Sequence, residues 1–260
     1  MKTALVFAAA ALLLAGCGKS TDQPPEDSAA APVAATPEAA SRLAAYRDAV
    51  LALAAGSYGG ACNSIDGPMP AQGITIGRDG KAVAGAWHID LADARLNLTR
   101  TRDAGAAAAG AFNASGGGEP YQLIIDSASG GSALFGPGTK ASQCTNVAAA
   151  SALAAKPLYP AVAQFFTGAG ATMACVENGA LRETTVKPGS AGLVLGEDRL
   201  AFDATAAQES LTLEPQQGLL AYGARYVDQS HVELSVDSAN KLVMAAYTKS
   251  SGAAVICSAK

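Results

Sequence analysis

The sequence is poor in the residues that most often build reactive or ligand-stacking sites. Of 260 residues only one is tryptophan and two are histidine, and aromatic side chains make up 5%. Basic residues are few as well, with 18 Lys+Arg and a net charge of −4. No surface follows from this that could displace counterions from a phosphate backbone, so nucleic acid is excluded as a partner. The chain also lacks the nucleophile elbow Gly-x-Ser-x-Gly, a phosphate loop, His-Glu-x-x-His, Cys-x-x-Cys and calcium-loop spacings, which leaves the usual hydrolytic, nucleotide and metal chemistries without their parts. What the chain does have is apolar material. At 50% hydrophobic residues it can build a real core, and disorder of the whole chain is excluded.

The apolar residues begin at once. After Lys2, an unbroken run from Ala4 to Ala15 leads to Leu14-Ala15-Gly16-Cys17, too short for a permanent membrane span and laid out as a secretory signal. These residues resemble the lipobox of bacterial lipoproteins, a leucine and two small residues before a cysteine. The resemblance implies that residues 1–16 are removed and that Cys17 carries the lipid. Several acyl chains on one residue anchor firmly, because each buried methylene contributes about 0.8 kcal/mol. In such lipoproteins an Asp after the cysteine favours retention in the inner membrane; residue 18 is Gly here, so the resemblance implies the outer membrane, facing the periplasm. Residues 17–36, rich in Pro, Ala, Ser and acids, have too little to bury and read as a flexible tether.

Four further cysteines carry the most information. Cys62 to Cys144 and Cys175 to Cys257 span the same 82 residues, and the second pair follows the first at a constant displacement of 113 (175 − 62 and 257 − 144). At that displacement Tyr46 meets Tyr159 and Gly110 meets Gly223; with small gaps, Asp126-Ser127-Ala128 meets Asp237-Ser238-Ala239. We read an internal duplication, with repeat units over 37–146 and 147–260. An exported chain with an even cysteine count favours disulfides, and the duplication selects Cys62 with Cys144 and Cys175 with Cys257.

Each unit reads as a helical segment followed by a meander. Thr36 before Pro37-Glu38 is a helix start, and Leu43, Tyr46, Val50 and Leu53 recur on one face before Gly56. The counterpart over 148–166 contains Pro157 and Pro160, which predicts a break. Alternation then predicts strands, with Val83, Gly85, Trp87 and Ile89 on one apolar face, then Leu96 and Leu98, and Val232, Leu234 and Val236. The fold class expected is α+β, two tandem repeats, each a helical segment packed on an antiparallel β-meander closed by a disulfide.

For chemistry little remains. His88 has Asp90, and His231 has Glu233, two residues along its strand, yet one imidazole and one carboxylate make a poor metal site. Ser238-x-x-Lys241 has acyl-enzyme spacing without its companion motifs. The expectation is therefore a non-catalytic envelope binding module, without cofactor or metal, tied to the membrane through Cys17 and holding a protein or cell-wall partner. An envelope hydrolase and an outer-membrane assembly factor are the alternatives. Gly223-Ala224-Arg225-Tyr226, followed by alternating strands and a closing Cys257, resembles the end of the lipoprotein inhibitors of C-type lysozyme. That likeness, over the last 35 or so residues, implies lysozyme inhibition as a specific form of binding.

Overall fold

The computed structural model describes residues 36–64, 73–85, 87–102, 108–116, 121–135, 141–145, 153, 156–202 and 206–260. Cys17, the signal and all of the tether but Thr36 lie outside these residues, as do 148–152, 154 and 155 of the second helical segment and the side chain of Trp87.

Helix α1 spans Pro37–Ala54, and its Thr36 side chain accepts from the Ala39 amide at 3.2 Å, satisfying one of the first-turn donors that a helix leaves unpaired. It buries Tyr46, Val50, Leu51 and Ala54, while Leu43 and Leu53 sit at the margin of that face. Helix α2 is shorter, Tyr159–Phe166, with Pro160 in its first turn, where the missing N–H leaves no helical hydrogen bond unmade.

The remaining described elements are strands. The first part of the chain supplies β1 (Gly56–Tyr58), β2 (Ala61–Ser64), β3 (Ile74–Ile76), β4 (Lys81–Ala84), β5 (Trp87–Asp90), β6 (Arg95–Thr101), β7 (Ala109–Ser115), β8 (Gln122–Asp126), β9 (Gly131–Phe135) and β10 (Ala141–Thr145). The second supplies β11 (Ala171–Glu177), β12 (Ala180–Pro188), β13 (Gly192–Leu195), β14 (Asp198–Ala201), β15 (Gln208–Glu214), β16 (Leu219–Arg225), β17 (His231–Asp237), β18 (Leu242–Thr248) and β19 (Ala254–Ser258). Strands β1-β3-β4-β5 form a sheet of four; the other fifteen form one antiparallel sheet in the order β14-β13-β12-β11-β19-β18-β17-β16-β15-β6-β7-β8-β9-β10-β2. A sheet of that width must curl. Its β14 edge is held by Tyr226, whose hydroxyl donates to the Ala201 carbonyl at 2.6 Å, and by a Lys249–Asp198 ion pair at 3.1 Å.

The two parts meet at β6 and β15, and the register there has a symmetry of its own. Leu98 stands opposite Leu211, and 211 − 98 is 113, the displacement that separates the cysteine pairs. The pairs on either side exchange under the same displacement: Asn97 opposite Thr212 becomes Ser210 opposite Thr99, and Leu96 opposite Leu213 becomes Glu209 opposite Arg100. Outward from this junction the strand order 6-7-8-9-10-2 matches 15-16-17-18-19-11.

Four local expectations are corrected. The run from Val83 to Ile89 is not one strand, because Gly85 turns at φ +61° between β4 and β5, a conformation glycine enters without steric cost. Within β4 the buried side chains are Ala82 and Ala84, while Val83 is only half-buried. Gly110 does not correspond to Gly223; the registers β6–β7 and β15–β16 place Asn113 there, with buried Phe112 corresponding to buried Tyr222. Finally, the helices do not each lie on a separate meander. They pack against each other, and α1 touches both β6 and β15 across the junction. Tyr46 on α1 stacks edge-on against Phe165 and donates to the Asp237 carbonyl at 2.8 Å.

Candidate binding surface

Each disulfide joins two neighbouring antiparallel strands at a directly paired position. Cys62 on β2 is bonded to Cys144 on β10 directly opposite, and Cys175 on β11 to Cys257 on β19. These are the two pairs inferred from the spacing. Each ties the first strand of its half of the large sheet to the last, so the sheet beside it forms a platform cross-linked at that pair.

On the outer face of that platform, in the second half, a shallow hollow of about 230 Å³ opens between β15, β16 and β17, lined by Gln208, Ser210, Gly223, Arg225, His231 and Glu233. It exists because Gly223 has no side chain. A Cβ there would stand 2.8 Å from Ser210 Oγ and 3.7 Å from Glu233 Cγ. The hollow continues one way into an apolar strip, since the cross-strand row through Gly223 runs by Glu233 and Ala246 to Ile256, Val176 and Leu181. The last three are exposed aliphatic side chains standing side by side.

Directly after β16, beside the hollow, the chain turns through Tyr226-Val227-Asp228-Gln229-Ser230. Short bonds tie this loop. The Tyr226 amide donates to the Ser230 carbonyl at 2.9 Å, the Gln229 amide to the Tyr226 carbonyl at 3.0 Å, and the Ser230 hydroxyl and amide both donate to Asp228 Oδ1, at 2.6 and 3.0 Å. The Ser230 side-chain bond, then its backbone bond, hold the Asp228 carboxyl below its usual 3.8. Gln229 takes φ +70°. With the backbone so committed, Val227 is left projecting, 72% exposed. An open recess of about 410 Å³ lies beside it, between β14 and the loop.

Under the hollow the inner face is anchored by charge. Arg100 Nη1 pairs with Glu209 Oε2 at 2.9 Å, both nearly sealed from solvent. Glu209 Oε1 accepts from the Tyr222 hydroxyl at 3.1 Å and from the Leu158 and Tyr159 amides at 3.1 and 3.4 Å. Glu209 thus caps α2, which has no side-chain cap of its own. Burial, with Glu209 beside it, drives the Tyr222 hydroxyl far above its ordinary range, so it stays a donor. Tyr159, Phe202 and Tyr222 pack ring against ring over this network.

The other singled-out residues are scattered. His88 is exposed on β5 in the four-stranded sheet, far in the topology from half-buried His231, whose Nε2 lies 3.4 Å from Thr248 Oγ1. Ser238 and Lys241 fall in the β17–β18 turn, where Asp237 Oδ1 accepts the Lys241 amide. Among the described residues no three His, Cys, Asp or Glu side chains converge on a metal-sized site, and no helix is long and apolar enough to cross a membrane. Sequence reasoning had found Gly223-Ala224-Arg225-Tyr226 but missed the ion pair. Its signal was present: Arg100 and Glu209 occupy the same strand parity as Leu96, Leu98, Leu211 and Leu213. No known protein family, characterised protein or solved structure matches the chain.

Proposed function

We propose that this chain is a lipid-anchored, non-catalytic binding protein of the bacterial envelope, built from two copies of one unit, which holds a protein partner through the outer face of its second unit. The observation that carries the reading is the tied loop Tyr226–Ser230. Its backbone is committed internally while Val227 projects, so a partner's cleft could be entered without a large ordering cost. Beside it the hollow at Gly223 and the strip Ile256, Val176 and Leu181 offer a polar seat and an apolar flank, the mixture protein interfaces use. Duplication is supported by the shared displacement of the cysteine pairs and of Leu98 from Leu211, and by the repeated strand order. Disulfide closure suits an oxidising periplasm.

A more specific reading is inhibition of a C-type lysozyme. It is favoured by Gly223-Ala224-Arg225-Tyr226, the residues that resemble the inhibitor lipoproteins; here they floor the hollow and open the projecting loop. The test is turbidity loss of cell walls under lysozyme with the purified full chain added. Inhibition should be lost on Val227→Asp and weakened on Arg225→Ala. Undiminished lysis at excess protein removes the lysozyme reading, and a Cys17→Ser chain that still incorporates labelled palmitate removes the anchor.

A further inference from the structure

The first half carries its own hollow at the matching place, and its lining points to a different ligand. About 360 Å³ in size, it is bounded by Arg95, Asn97, Asn113, Ser115 and Gln122. Strand register aligns the two hollows residue for residue. The row Arg95, Ser115, Gln122, Phe135 across β6 to β9 corresponds to Gln208, Arg225, His231, Thr248 across β15 to β18. The row Asn97, Asn113, Ile124, Ala133 corresponds likewise to Ser210, Gly223, Glu233, Ala246.

The chemistry of the lining is different in kind. Arg95, the one charged side chain, is neutralised by Glu214 at 2.6 Å. The other polar groups are three amides and a hydroxyl. Asn97 donates to Thr212 Oγ1 at 2.8 Å, whereas Asn113 and Gln122 make no side-chain hydrogen bond to another described residue. Next to Gln122, directly opposite on β9, stands Phe135, 39% exposed, and Ile124 and Ala133 pave the same face with partly exposed apolar atoms. An exposed ring beside amides, with no uncompensated charge among the described lining residues, is complementary to an uncharged molecule that alternates apolar C–H faces with hydroxyl and acetamido groups. An aromatic face receives the C–H surface of a sugar ring, while amides both donate to and accept from its substituents. From Phe135 to Arg95 the row crosses three strand spacings, about 14 Å, long enough for a short run of linked rings.

We infer that this first-half platform binds N-acetylated glycan chains of the kind that make up cell-wall strands, through Phe135, Gln122, Asn113 and Asn97. This site is separate from the loop of the second half, and neither reading requires the other.

Titration calorimetry of the full chain in detergent with chitotetraose, an uncharged β-1,4-linked N-acetylglucosamine tetramer, tests it against cellotetraose, which lacks the acetamido groups. Chitotetraose should bind, with cellotetraose about tenfold weaker or more. Phe135→Ala and Gln122→Ala should each weaken binding by about fivefold, the scale of one lost ring or amide contact, and Val227→Asp should leave it unchanged. Should Phe135→Ala lose its native circular dichroism, Gln122→Ala, an exposed polar position, decides alone. Absence of heat at millimolar sugar, equal affinity for cellotetraose, or affinity unmoved in the folded variants would overturn the inference.

Discussion

The two halves share a scaffold and differ in what they put on it. At the centre, the displacement that carries Leu98 onto Leu211 also carries the inward pair Leu96–Leu213 onto Glu209–Arg100. One side of the junction is closed by two leucines, the other by a buried ion pair that also caps α2 and receives Tyr222. On the outer face the contrast is again one of residue type at a kept position: amides and Phe135 on the first half, Gly223 with Arg225, His231 and Glu233 on the second. Backbone register is thus the shared property. On the outer face side chains can differ at little cost because they meet solvent, whereas the buried difference at the junction is accommodated only because Arg100 and Glu209 pair with each other.

The largest expected effect breaks the central asymmetry. Glu209→Leu alone leaves the Arg100 guanidinium buried beside a hydrocarbon and should cost about 3–5 kcal/mol, read by denaturant unfolding. Arg100→Leu with Glu209→Leu copies the mate Leu96–Leu213. It should recover much of that loss, with a residue of about 1–2 kcal/mol for the cap and the Tyr222 partner. A double variant no more stable than the single would show that the charges are not what links the two sites. Next come the disulfides, each closing 82 residues and contributing about 2–4 kcal/mol. Cys175 and Cys257 are both sealed, whereas Cys62 is only half-buried. Graded reductant followed by alkylation and mass spectrometry should therefore label Cys62 and Cys144 first; simultaneous labelling of all four would contradict this difference in access.

Gly223→Asn gives the second half the first half's residue at this point. The added Cβ forces Ser210 Oγ aside, for about 1–2 kcal/mol, and fills the hollow, so under the proposed reading inhibition in the wall-lysis assay should fall by more than the small loss of stability seen in denaturant unfolding. The smallest effect belongs to Asp228. Its carboxyl is held low by Ser230, so the loop's tie is fully present above the ordinary 3.8 and disappears only as pH falls through the lowered value. Loop amide resonances should thus stay unchanged from neutral pH down to that point and broaden below it. Broadening well above 3.8 would mean that another group holds the loop.

Local features were legible in the residues themselves. Thr36 and Pro37 announced α1, period two announced β6 and β17, and the cysteine spacing yielded the pairs that are bonded. What escaped was set by distant partners. Nothing in the vicinity of Arg95–Thr101 says that its neighbour is Gln208–Glu214, because strand pairing is decided by the whole arrangement. The wrong match of Gly110 to Gly223 has the same origin, since the link from β6 to β7 is three residues longer than that from β15 to β16 and only register reveals the shift. The hollows were invisible because a missing side chain matters only where its cross-strand neighbours are known. The Gly85 turn was masked by an alternation that continues on both sides of it.

The β6–β15 junction has a consequence for biogenesis. Synthesis runs from the amino terminus, so the seven residues of β6 are made well before their partner on β15. Until β15 arrives, β6 offers a row of open amide and carbonyl groups, a template on which any stray extended chain can dock. Escorts that shield nascent strands would matter most during this interval, and a truncated product ending between the two strands would be the species most prone to clump.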